Sequence, residues 1–193
     1  MFVAHLPAGY LLTKGLQYVS GVRSRAYLPA GLVASVLPDI DLLYFYLVDD
    51  RKTSHHHYVT HLPMFWLTLA LAAWGLLWAT GKSRHAFLIG VVLANVMLHL
   101  ALDSVAASVS WLYPFSPLDV NLVHVPARYN WWVWNFILHW TFFFEIALIL
   151  AAAVVWRQVR LKEQRLTSRS RHTDPARDGN GVGGPPVGTR AGP

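Results

Sequence analysis

The sequence predicts an all-α integral membrane bundle of about five spans. Three observations predict it. Of 193 residues, 54% are hydrophobic and only 13% charged, about half the charge of a soluble domain. Several apolar runs approach the twenty residues that cross a bilayer as a helix. Nine tryptophans are present, many near the ends of those runs, where the membrane interface favours them. There is no cysteine, so disulfide and thiolate metal sites are excluded, and any metal must be held by histidines and carboxylates.

Residues 2–20 form an interrupted first helix with no basic lead-in, read as uncleaved. A basic turn with Arg23 and Arg25 follows. Residues 27–48 are a second apolar stretch, broken by Pro38-Asp39-Ile40-Asp41. A polar loop over 49–61 carries His55, His56, His57 and His61. Residues 62–80 are a third span, followed by a turn with Lys82 and Arg84. Residues 86–107 are the fourth, with His99 and Asp103 inside it. A Pro-rich aromatic loop over 108–130 leads to a fifth span at 131–156. The membrane domain is thus expected over 1–156. A basic, disordered tail is expected over 157–193. That tail holds half of the Lys and Arg: Arg157, Arg160, Lys162, Arg165, Arg169, Arg171, Arg177 and Arg190. The charge marks a cytoplasmic flank, and no nucleic-acid partner is expected.

Basic residues in short loops face the cytoplasm. This counting puts the N-terminus outside, the C-terminus inside, and the loops at 49–61 and 108–130 outside. His5, Asp39, Asp41, the 55–61 histidines, His99, Asp103 and His139 then fall at one level, near the outer face. Only Glu145 lies deeper.

Each group has its own logic. His99 and Asp103 are four apart, so both point the same way from a helix. Ionisable groups inside a span face a partner, a cavity or a metal. Pro38 predicts a break, with Asp39 and Asp41 at a new helix start, where the backbone favours negative charge. Neutral imidazole is a common ligand for borderline metals. His5, Asp39, His56, His61, His99 and Asp103 are therefore candidate ligands for one or two divalent ions. Zinc comes first, with manganese also compatible. Asp41 is the candidate general base or second-ion ligand. Glu145 reads as a helix–helix hydrogen-bond partner, and Tyr113-Pro-Phe-Ser-Pro117 as a turn-rich segment able to floor or cover the site. A plainer reading makes His99 and Asp103 a structural pair joining two helices.

The ordered motifs Ala4-His5-Leu-Pro-Ala-Gly9, Pro38-Asp-Ile-Asp41, His56-His-Tyr-Val-Thr-His61, His99-Leu-Ala-Leu-Asp103 and Tyr113-Pro-Phe-Ser116 resemble the membrane-bound metal-dependent hydrolase family of the YdjM type. The resemblance covers about residues 1–118. His57 stands where that family has Arg, Ala4 where Thr is common, and Leu62 where Ser follows Thr-His. More distantly, the motif order is similar to zinc-dependent phospholipase C and related single-strand nucleases. The resemblance implies a helical bundle in the bacterial inner membrane holding zinc, and a phosphoester or lipid-linked substrate. The expectation is a hydrolase using metal-activated water on an ester. A transporter or proton relay, and a structural protein with metal-stapled helices, are the alternatives.

Overall fold

The computed structural model describes residues 3–173 except Arg23, Arg51 and Ser54. Arg23, one of the basic residues that set the expected orientation, and the tail after Thr173 lie outside the described residues. Two units divide the chain, Met1–Ala153 and Val154 onward.

The first unit is built on four helices: α1 (His5–Ser20), α2 (Tyr27–Ala34), α4 (Pro63–Ala79) and α5 (Ala86–Ala106). The long α5 packs against α1, α2 and α4, and α1 packs against α2. A short α3 (Asp41–Leu47), α6 (Trp132–Ile137) and α7 (Phe142–Thr173) complete the described helices. Among the described residues the only β pairing is an isolated bridge between Val109 and Val120.

Local chemistry sets the boundaries. Gly21, at φ 68°, closes α1 in the left-handed conformation that glycine adopts without steric cost. Pro38 has no N–H to continue α2. It opens a single 3-10 turn over Pro38–Ile40 before α3 begins at Asp41. The resulting pair bends by 55°, the break expected from Pro-Asp-x-Asp. Pro63 occupies the first turn of α4 behind an extended Leu62. The core joins Ala34, Trp66, Val96, Leu100 and Val109.

Two segments, Ser83–Ala106 and Phe142–Ser168, are long and apolar enough to cross a membrane, or three if the bent pair counts as one. The expected five spans are too many by this measure. α4, apolar throughout, has only 17 residues, about 25 Å against a hydrocarbon core of about 30 Å. The fifth span is also displaced. Leu138–Thr141 interrupts it, where His139 Nδ1 and Thr141 Oγ1 hydrogen-bond at 2.9 Å, so α7 begins at Phe142.

The helix α7 runs past residue 157 as far as Thr173, and the rest of the expected tail, from residue 174, lies outside the described residues. Arg, Lys, Glu, Gln and Leu are good helix formers. Here they only extend a helix already nucleated by the apolar stretch.

Candidate metal centre

The last turns of α5 carry Asn95, His99 and Asp103 at successive four-residue steps, all buried. That stripe faces α1 and α2, where small residues let the backbones approach. A Cβ on Gly31 would come within 2.1 Å of Thr13 Oγ1, and one on Gly9 within 2.4 Å of Ser35 Cβ. Asn95 Nδ2 donates to Thr13 Oγ1 at 3.0 Å and to the Val91 carbonyl at 2.8 Å. This close-packed polar layer lies one helical turn from His99 and sets the heights of α1 and α2 against α5.

Above it, Asp39, His61, His99 and Asp103 each offer one ligand atom, and the four atoms lie within 4.8 Å of one another. His99 Nε2 lies 3.0 Å from Asp103 Oδ2 and 3.6 Å from Asp39 Oδ1. His61 Nε2 lies 3.5 Å from Asp103 Oδ2 and 3.8 Å from Asp39 Oδ1. A tetrahedral ion with ligand bonds near 2.05 Å would separate its ligand atoms by about 3.3 Å. The four imidazole–carboxylate distances bracket that spacing, and the whole set of ligand atoms lies within 4.8 Å.

The far side of each imidazole is fixed. His99 Nδ1 is 2.8 Å from the Ser35 carbonyl oxygen. A carbonyl oxygen only accepts, so Nδ1 carries the proton and Nε2 presents its lone pair to the centre. His61 Nδ1 donates in the same way to Asp41 Oδ2 at 2.7 Å. Thr60 Oγ1 also donates to that oxygen. Carboxylate or carbonyl behind imidazole is the usual arrangement around a bound metal.

His61 sits on a 3-10 turn ahead of α4, outside the apolar helices. Burial works against a charged imidazole there. Hydrogen bonds to Asp103 and Asp41 outweigh it and hold the pKa up at about 9. Without a cation, a proton on His61 offsets the carboxylates around it.

Of the six predicted ligands, four form this group. The other two flank Asp103. His5 Nε2 lies 3.1 Å from Asp103 Oδ1 and its ring stacks on His99 at 4.0 Å. His56 Nε2 lies 3.8 Å from Asp103 Oδ2. Asp41 turns its carboxylate to His61 and Thr60. His57 pairs with Asp119 at 3.5 Å, away from the centre. The His55 side chain lies outside the description.

Glu145, on the first turn of α7, is buried. Its Oε2 accepts from the backbone N–H groups of Val3 and Ala4. It therefore tethers α1 immediately before His5, the helix–helix role expected of it.

Sequence reasoning missed Ser35, Thr13, Gly9, Gly31 and Asn95. For Asn95 a signal was present, since it stands four residues before His99 on one face. The Ser35 carbonyl had none, because any residue type supplies one.

No curated protein and no solved structure matches the chain. The model of the YdjM inner membrane protein family matches residues 1–164. That match takes in every residue of the centre, all of Ser83–Ala106, and the second long apolar segment up to Gln164. This chain belongs to the YdjM inner membrane protein family.

Proposed function

We propose that the protein is a membrane-bound metal-dependent hydrolase acting on an ester or phosphoester. One observation carries the reading. Two buried imidazoles, each with an acceptor at its outer nitrogen, gather with two carboxylates so that four ligand atoms lie within 4.8 Å of one another, a set able to hold a divalent cation. Zinc fits this nitrogen and oxygen set, and manganese is compatible with it. A bound divalent cation would supply Lewis acidity and lower the pKa of a water held beside the substrate.

The protein's own residues divide the remaining work. His61, His99, Asp103 and Asp39 would hold the cation. Asp41 and the Ser35 carbonyl orient the imidazoles. Asp39, the least buried of the four ligands, faces the side from which substrate enters. Asp41, held by His61 Nδ1 and Thr60, acts here as a positioning group, because a His61 bound to a cation through Nε2 has no free nitrogen to pass a proton to it. In the reaction the water oxygen bonds to the electrophilic carbon or phosphorus. The bond to the leaving oxygen breaks, and a proton from water ends on that oxygen. The family membership supports a membrane setting. The phosphoester rests on the motif order alone, which resembles that of zinc-dependent phospholipase C.

The test is elemental analysis of detergent-purified wild type and Asp103→Ala, followed by turnover of p-nitrophenyl esters and phosphoesters. Stoichiometric zinc or manganese lost in the variant, with metal-dependent turnover, is the expected result. Metal without turnover would assign the centre to stapling helices. No metal, even after reconstitution, would overturn the reading.

A further inference from the structure

The segment joining α5 to α6 holds an apolar tip that the metal centre does not use. Residues 111–118 read Trp-Leu-Tyr-Pro-Phe-Ser-Pro-Leu, without a charge. Phe115 is 80% exposed and Leu118 66%, and Leu112 and Tyr113 are exposed beside them. In water such a cluster is a liability unless something covers it.

Its anchoring says what covers it. The apolar segment Ser83–Ala106 ends one residue before the loop begins, so the loop starts where the chain leaves the hydrocarbon. The loop is then drawn back to that exit. The Leu122 N–H donates to the Ser104 carbonyl at 2.8 Å, and the Val123 N–H to the Val105 carbonyl at 2.9 Å. Trp111 Nε1 donates to Ser104 Oγ at 2.8 Å. Val109 and Val120 pair through two backbone hydrogen bonds and close the base of the tip. The tip is thus held at the level of the last turn of α5, which is also the level of Asp103. Aromatic residues with one polar edge, prolines and leucines, uncharged, are the composition that settles at the headgroup boundary.

We propose that the 111–118 tip lies in the membrane interface, seats the mouth of the centre among lipid headgroups, and makes the substrate a bilayer-resident amphiphile whose scissile ester sits at headgroup level. The substrate half of this rests on the hydrolase reading above, and the placement of the tip does not. Asp119 fits the same picture at the polar edge. It accepts from Ser110 Oγ and pairs with His57, joining the tip to the histidine-bearing loop at the centre's entrance.

The chain has no cysteine, so Phe115→Cys gives a single labelling site in the full-length protein. With a nitrobenzoxadiazole probe there, reconstituted in phosphatidylcholine–phosphatidylglycerol vesicles, blue-shifted emission quenched by lipids spin-labelled near the headgroup is expected. Water-like emission quenched by iodide would overturn the placement. So would shifted emission untouched by either quencher, which would mean that protein, such as a second copy of the chain, covers the tip.

The substrate class is then read with p-nitrophenyl methyl phosphate and p-nitrophenyl hexadecyl phosphate. The wild type is expected to prefer the hexadecyl ester at least tenfold in kcat/KM. Leu112→Asp combined with Leu118→Asp is expected to erase most of that preference with metal content and methyl-ester turnover unchanged. An undiminished preference in the double variant would overturn the substrate assignment. Turnover of neither ester, with the probe in the interface, would count against the hydrolase reading and leave the tip where it is proposed.

Discussion

At the residue scale the centre depends on the outer nitrogen of each imidazole as much as on the inner one. Asp41→Asn keeps the size of the side chain but weakens the hold on His61 Nδ1. Loss of such an outer partner costs roughly 10–100-fold in metal affinity, and we expect that loss for zinc, measured by competition with a chelating dye. Asp103→Ala removes a ligand and the partner of His5 together, so stoichiometric zinc is expected to disappear.

The raised pKa of His61, at about 9, gives the pH dependence its sign. In the metal-free protein the protonated ring stabilises the fold. That contribution is fully present below about 6.5, the unfolded value, and fades as pH rises through 9. A cation must displace this proton. Zinc affinity is therefore expected to climb by about tenfold per pH unit between pH 6.5 and 8, with about one proton released per ion. Calorimetry in two buffers of different ionisation enthalpy measures the release.

Helix contacts, rather than ligands, fix the heights at which those residues meet. Gly31 and Gly9 allow α1, α2 and α5 to touch through Thr13, Ser35 and Asn95. Gly31→Ala would drive a Cβ to within 2.1 Å of Thr13 Oγ1. Overpacking of this kind costs about 1–3 kcal/mol, so a lower Tm in detergent is expected. Because α2 carries the Ser35 carbonyl behind His99, weaker zinc binding should accompany it. Gly15, whose added Cβ would meet nothing within 4 Å, serves as the control: Gly15→Ala should leave zinc binding unchanged and hold or raise Tm, since alanine gains about 0.5–1 kcal/mol over glycine inside a helix. The same scale explains the 3-10 turns around the centre. Pro38 and Pro63 each end one direction of chain, and the intervening turns deliver Asp39, Asp41 and His61 to a helix that cannot reach them by itself.

For the whole molecule, gathering a buried carboxylate, a half-buried one and two buried imidazoles is costly without a cation. Occupancy should stabilise the fold by mass action. At a free zinc concentration 100-fold above Kd the gain is about 2.7 kcal/mol, expected as a rise in Tm for wild type and none for Asp103→Ala. The long α5 carries this coupling, since it holds two ligands and is packed by α1, α2 and α4.

The sequence by itself determined the class of molecule. Apolar runs with few charges leave helices as the way to satisfy backbone groups in lipid. It also determined the donor types, since a chain without cysteine offers a metal nitrogen and oxygen alone. The His99–Asp103 face was legible because four-residue spacing is a local property of a helix, and the break at Asp39 and Asp41 because proline lacks an N–H. Span number was less legible. Hydropathy reads apolar length, and it did not register the pause at Leu138–Thr141 or the shortness of α4.

Which candidates share a centre was decided only by the tertiary structure. His61 and Asp39 reach His99 and Asp103 because two 3-10 turns redirect the chain, while His5 and His56 stop at the flank of Asp103. The Ser35 carbonyl and the glycine contacts beneath it are set by helix crossing. Such contacts form between residues tens of positions apart, so no local pattern in the chain encodes them.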